Sequence, residues 1–182
     1  MSEHYGKVAL IGLGLIASSM AWAMKRAGMT TEIRGYARSA ETRETARRLG
    51  FCNVVCDSAE EAVADADLIV LATPVGVMGH VAEAIAPHLK PGATVTDVGS
   101  VKRTVIAEVS PHLPDSVHFV PGHPMAGTEH SGPDAGFASL FDNRWCLIVP
   151  VETAPEDAVA RLEQYWQALG ANTERMDPEH HD

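Results

Sequence analysis

KVALIGLGLIASSMAWAM, residues 7–24, holds two patterns in succession. KVALIG (7–12) is a short apolar run of the kind that forms a strand covered on both faces. LIASSMAWAMKRAG (15–28) is a small-residue helix closed by Gly28. Between them stands Gly12-Leu13-Gly14-Leu15-Ile16-Ala17, a G-x-G-x-x-A placed where strand turns into helix. Gly12 permits the tight turn, Gly14 lets a pyrophosphate approach the backbone, and small Ala17 allows close helix–strand packing. An anion then rests on the unpaired N–H groups that open the helix, at Leu15, Ile16 and Ala17. The same run looks like a signal-peptide core, but the preceding MSEHYGK is hardly positive and the paired glycines suit a strand-to-helix turn, so a secretory leader is not expected.

Outward from this turn the alternation continues. Strands are expected at 31–37, 52–56, 67–74, 93–100, 117–122, 144–150 and 171–176, with helices at 40–50, 58–66, 75–89, 102–113 and 156–170. Ser58, three residues before Glu61, has capping-box spacing. Such alternation implies a Rossmann-type α/β fold, a mainly parallel doubly wound sheet with helices on both faces. Residues 1–176 are expected to form this dinucleotide-binding domain. In 177–182, DPEHHD, Asp177 can cap and Pro178 suits a first helical position, so a further helix begins there.

The chain has 182 residues, 46% of them apolar, enough for one domain with a real core. Its 24 acidic against 14 basic residues give a net charge of −10, which argues against nucleic acid or an anionic membrane as partner. A small anionic ligand needs only local positive groups. Cys52, Cys56 and Cys146 lack paired metal-ligand spacing, so no metal is expected; Cys52 and Cys56 read as small hydrophobes flanking a buried strand, in a reducing compartment. No stretch has the uninterrupted apolar length of a membrane helix, and the cytoplasm is the expected location.

An acid about 20 positions beyond the glycines would hold the ribose 2′-hydroxyl of NAD. Ala37-Arg38-Ser39 stands there instead. Arg38 can pair with a 2′-phosphate and Ser39 can hydrogen-bond it, which favours NADP over NAD. DVGSVK (97–102) ends a strand at the carboxyl edge, placing Ser100 toward the nicotinamide with Lys102 just beyond. GHPMAGTEHSGPDAGF (122–137) leaves the next strand at the same edge and reads as a long functional loop. In it His123, kept extended by Pro124, can accept a proton from a substrate hydroxyl as hydride leaves the same carbon. His130 faces either substrate or solvent. His80, His88, His112 and His118 read as fillers, and Trp145 and Trp166 as packing residues.

GLGLIASS, LATPV, DVGSVK, GHPMAGTEHSG and the terminal EHHD together resemble the prephenate/arogenate dehydrogenase family of tyrosine biosynthesis. The resemblance implies oxidative decarboxylation of prephenate or arogenate with hydride transfer to NAD(P)+, and a helical domain, absent from this chain, that completes the substrate site and forms a homodimer. It makes His123 and Ser100 catalytic, and Ser100, Lys102, Thr128, Glu129, His130 and His181 substrate-binding, with Asp182 matching the family's late His-Asp. The cofactor set is then Gly12, Gly14, Leu15, Ile16, Ala17, Arg38, Ser39, Thr73, Pro74 and Ser100. Two other readings stay open: a dinucleotide-binding module without turnover, and a related NADP-dependent reductase of imines or 3-hydroxy acids.

Overall fold

A computed structural model describes residues 4–182; residues 1–3, part of the leading MSEHYGK, lie outside the described residues. Six strands form a parallel sheet in the order β3-β2-β1-β4-β5-β6: β1 Lys7–Ile11, β2 Glu32–Tyr36, β3 Val54–Val55, β4 Leu68–Leu71, β5 Thr94–Asp97 and β6 His118–Phe119. The helices between them are α1 Leu15–Arg26, α2 Ala40–Leu49, α3 Ala59–Val63, α4 Met78–Ile85 and α5 Arg103–Val109. Side chains alternate across the sheet, so each central strand feeds two cores. Val8, Leu10, Leu68 and Val70 pack with Met20 and Met24 of α1 on one face. Ala9, Ile11, Ile69 and Leu71 pack with Ala62, Met78, Ala82 and Val105 on the other. This two-sided burial is why those runs are continuously apolar rather than alternating.

The cap expected at Ser58 is present, its Oγ accepting from Glu61 N; Ser39 Oγ likewise accepts from Thr42 N at the start of α2, and Gly50 closes that helix with φ +76°. β3 departs from its expectation as a buried strand. It is two residues long at the sheet edge, and Val54 is 41% exposed, while Cys56 is buried and Cys52 half-buried beside it.

A larger departure lies at the other edge. The strands expected near 144–150 and 171–176 do not extend the main sheet. β8 Trp145–Ile148 pairs antiparallel with β7 Gly122–Pro124 and parallel with β9 Asn172–Arg175, in a second, three-stranded sheet. Pro121, which has no N–H to give to a ladder, ends β6 after two residues, and the chain turns to pair with β8. The first three residues of the expected loop are therefore strand, and His123 is paired opposite Leu147. Between β8 and β9, α6 Glu156–Ala168 brings Leu162, Tyr165 and Trp166 into the first core, all fully buried. Trp145, expected to pack, is 49% exposed at the start of β8, next to exposed Met125 whose N–H bonds its carbonyl. The chain ends in α7 Pro178–His181, with Asp177 accepting from His180 N as its cap. No helix among the described residues is long and apolar enough to cross a membrane.

Candidate active site

Strand order reverses between β1 and β4, and the crevice beyond their carboxyl ends is where open α/β sheets take ligands. A cleft of about 720 Å3 opens there, lined by Gly12–Gly14, Ala37–Ser39, Thr73 and Pro74 among others. Its size suits a small-molecule ligand. Gly12 has φ +98°, and a Cβ on it would lie 2.7 Å from Ala72 O, so only glycine lets the turn pass β4 so closely. At Gly14 a Cβ would meet nothing, which leaves open space in front of the helix. No side chain caps α1 and no acid stands in its first turn, so its leading N–H groups are free to take an anion. Thr73 Oγ1 is buried without a partner at the same edge, a polar atom waiting for a ligand's. These residues fit a dinucleotide: the open glycine turn, the uncapped helix and the orphaned hydroxyl are what its phosphates would satisfy.

At the far wall Ala37 is buried and Arg38 exposed. Arg38 lends its carbonyl to Arg43 Nη1, which also bonds Ala37 O, so Arg43 braces the turn while the Arg38 guanidinium stays free for the cleft. Three further lining residues were missed by the sequence reading. His80, taken as a filler, lines the cleft, and so do Gly132 and Pro133 from the second half of the 122–137 stretch. That half lies back on α1: Phe137 N donates to Ser19 Oγ at 3.1 Å, and a Cβ on Gly136 would come 2.7 Å from Ser18 Cβ.

β5 supplies the joint between cofactor cleft and His123. Asp97, fully buried, accepts from Gly99 N at 2.9 Å and from Gly122 N at 3.3 Å. Lys102 Nζ pairs with the same carboxylate and donates to Gly122 O at 2.5 Å. The expectation that Lys102 meets the substrate is corrected here: its side chain is wholly buried, folded under the turn that opens α5. Burial works against both charges, raising the affinity of Asp97 for a proton and lowering that of Lys102, while their contact and the two N–H donors offset it. The pair ties the end of β5 to Gly122, one residue before His123.

His123 is half-buried, and its Nδ1 lies 2.9 Å from His181 Nε2. His181 Nδ1 in turn lies 2.6 Å from Asp182 Oδ1, and Asp182 accepts from the backbone N–H groups of Lys102 and Arg103, both at 3.0 Å. Both ring nitrogens of His181 are thus committed, and its side chain is 4% exposed. It stands behind His123 and not, as expected, as a free substrate contact. Burial first, then the neighbouring His181 and Lys102, push the His123 imidazole down to about 4, so the ring is neutral at physiological pH. Among the described residues no partner holds its Nε2.

Ser100 is exposed in the turn just after Asp97, at the same carboxyl edge. Thr128, Glu129 and His130 are brought to each other rather than to His123: Thr128 Oγ1 accepts from His130 N, and His130 faces Glu129 at 3.8 Å, all in solvent. An uncapped helix N-terminus and a neutral imidazole at one sheet edge are parts that could hold a dinucleotide and take a proton from a hydroxyl beside it.

The profile of the family described as "Prephenate dehydrogenase, nucleotide-binding domain" matches residues 20–175. A cyclohexadienyl dehydrogenase of Zymomonas mobilis is 43% identical over 96% of this chain and 59% of its own length. A prephenate dehydrogenase of A. aeolicus, solved in complex with hydroxyphenyl propionate and NAD+, superposes with a TM-score of 0.88 at 29% identity, over 96% of this chain and 61% of that one. The arogenate dehydrogenase of Synechocystis gives a TM-score of 0.88 at 31% identity, with the same coverage of each chain. This chain therefore spans about three fifths of the length of these relatives.

Proposed function

This chain belongs to the family of prephenate dehydrogenase nucleotide-binding domains, and from that premise we propose that the protein performs the oxidative decarboxylation of prephenate or arogenate, as a cytoplasmic homodimer in tyrosine biosynthesis. The observation that carries the reading is His123: a neutral, half-buried imidazole with Nδ1 engaged and Nε2 free, one residue from the buried joint that ties it to the cofactor edge. His123 Nε2 accepts the proton of the ring hydroxyl, and Ser100, exposed at the same edge, orients that hydroxyl. Loss of the ring carboxylate as CO2 aromatises the ring, which drives the step forward.

Gly12, Gly14 and the N–H groups opening α1 would hold the dinucleotide's phosphates, with Thr73 Oγ1 as a further partner. NAD(P)+ supplies the hydride acceptor when bound. NADP+ is the preferred form in this reading, because Ala37 offers a 2′-hydroxyl nothing to bond, whereas exposed Arg38 offers a 2′-phosphate a planar pair of donors. Ser39 Oγ accepts from Thr42 N and keeps its own proton to donate. With Lys102 turned inward, the substrate's carboxylates are met, in this reading, by other cations, beyond residues 1–182. Thr128, Glu129 and His130, clustered in solvent, form the rim of the pocket.

Steady-state kinetics of the protein at its full encoded length, with both substrates and both cofactors, is the test. Turnover of at least one substrate, faster with NADP+ than NAD+, is the expected result. Turnover of neither would remove the reaction, and a preference for NAD+ would remove the role given to Arg38.

A further inference from the structure

We propose that Asp182 is a positioning residue for this reaction: through His181 it holds His123 as the Nδ1–H tautomer, leaving Nε2 as the base. The inference rests on the reading of His123 as the base, and deepens it. Each hydrogen bond in the row dictates the next. Asp182 receives Lys102 N and Arg103 N at the start of α5, and the His181 bond, followed by these two donors, holds its carboxyl down to about 2. A carboxylate has no proton to give, so the 2.6 Å contact places the proton on His181 Nδ1. Neutral imidazole carries one N–H, so His181 Nε2 is an acceptor, and the 2.9 Å contact makes His123 Nδ1 the donor. The remaining His123 nitrogen, Nε2, is then a lone pair.

When Nε2 takes the hydroxyl proton, an O–H bond breaks, an N–H bond forms, and the imidazolium charge is met by Asp182 across His181. The proton does not travel along the row. Passing it to Asp182 would protonate a carboxylate held near 2 and leave both rings in the inverted tautomer, with Nε2 of His123 blocked for the next turnover. Asp182 therefore orients and stabilises without becoming an acid, as the aspartate of a Ser-His-Asp triad does. Among the described residues the charged groups acting on His123 are Lys102 and Asp182, with Asp97 behind Lys102.

The test has one readout independent of turnover. Long-range 15N–1H correlation of the chain at neutral pH should show His123 and His181 each protonated at Nδ1 only. Asp182→Asn should lose that pattern on both rings. His181→Leu, which leaves Asp182 on the N–H groups of α5 and so controls for a lost helix cap, should lose it on His123. In the protein at its full encoded length each variant should lower kcat by about 10- to 100-fold, the scale of lost outer-shell partners, with KM for NADP+ within about twofold. In Asp182→Asn the acid limb of kcat should also move to lower pH, because the Asp182 charge favours protonated His123; loss of packing alone would not move it. An Nε2–H signal for His123 in the unmutated chain overturns the proposal, as does an unshifted tautomer in both variants. If the unmutated protein turns over neither prephenate nor arogenate, the reaction falls, while the spectrum still decides the tautomer.

Discussion

Lys102→Met removes from the Asp97 carboxylate its one cation among the described residues. Both side chains of the pair are fully buried. Methionine has nearly the length of lysine, so little cavity is left and the loss is electrostatic. Breaking a buried pair by removing one partner destabilises by about 3–5 kcal/mol, and Gly122 O also loses its donor. For a domain of this size 1 kcal/mol corresponds to roughly 2–4 °C in Tm, so the variant should melt roughly 6–20 °C lower at pH 7. The sign of its pH dependence is distinctive. Burial raises the proton affinity of Asp97, and without Lys102 only the Gly99 and Gly122 N–H groups oppose that rise. A carboxyl whose folded pKa lies above its unfolded value adds stability at low pH that is lost as pH rises through the folded pKa. The deficit of Lys102→Met against the unmutated chain should therefore shrink between pH 7 and 5. Urea unfolding of both proteins across that range measures it. A deficit under about 1 kcal/mol, or one that grows on acidification, would refute the reasoning.

Other outcomes are expected from the cleft. Gly12→Ala forces a Cβ to 2.7 Å from Ala72 O at φ +98°, and should weaken NADP+ binding by tenfold or more, equivalent to about 1.4 kcal/mol; unchanged binding by titration would remove the close-approach argument. Ala37→Asp combined with Arg38→Ser should reverse the preference toward NAD+, measured as the ratio of the two dissociation constants. Residues 1–182 alone should bind NADP+ at about micromolar Kd yet give negligible NADPH absorbance with either substrate; robust turnover would show that the substrate pocket is complete within these residues.

Features held by near neighbours in sequence were the legible ones. The glycine turn, the Ser58 cap and the start of α7 at Asp177 are each settled within about four residues, and the apolar runs name their strands because both faces are covered. What escaped is non-local. Lys102 looked available for a substrate because nothing nearby in sequence shows that Gly122, 20 residues on, takes its ammonium. His181 looked like a substrate contact because its partner His123 is 58 residues away. The second sheet was hidden for the same reason: β7 exists only through β8, and the sole local signal was Pro121, which ends the β6 ladder. The substrate role of Thr128, Glu129 and His130 came from the family resemblance, and the turn brings those residues to each other rather than to His123.

The role of His123 is open to a direct measurement: His123→Asn in the protein at its full encoded length, with kcat and the NADP+ dissociation constant determined side by side. A turnover loss of about 100-fold or more, the scale of a lost general base, with cofactor affinity within about twofold is predicted. In the unmutated enzyme kcat/KM should hold down to about pH 4, where the His123 imidazole takes up its proton. A loss of only a few-fold would contradict the assignment and move the base to another residue.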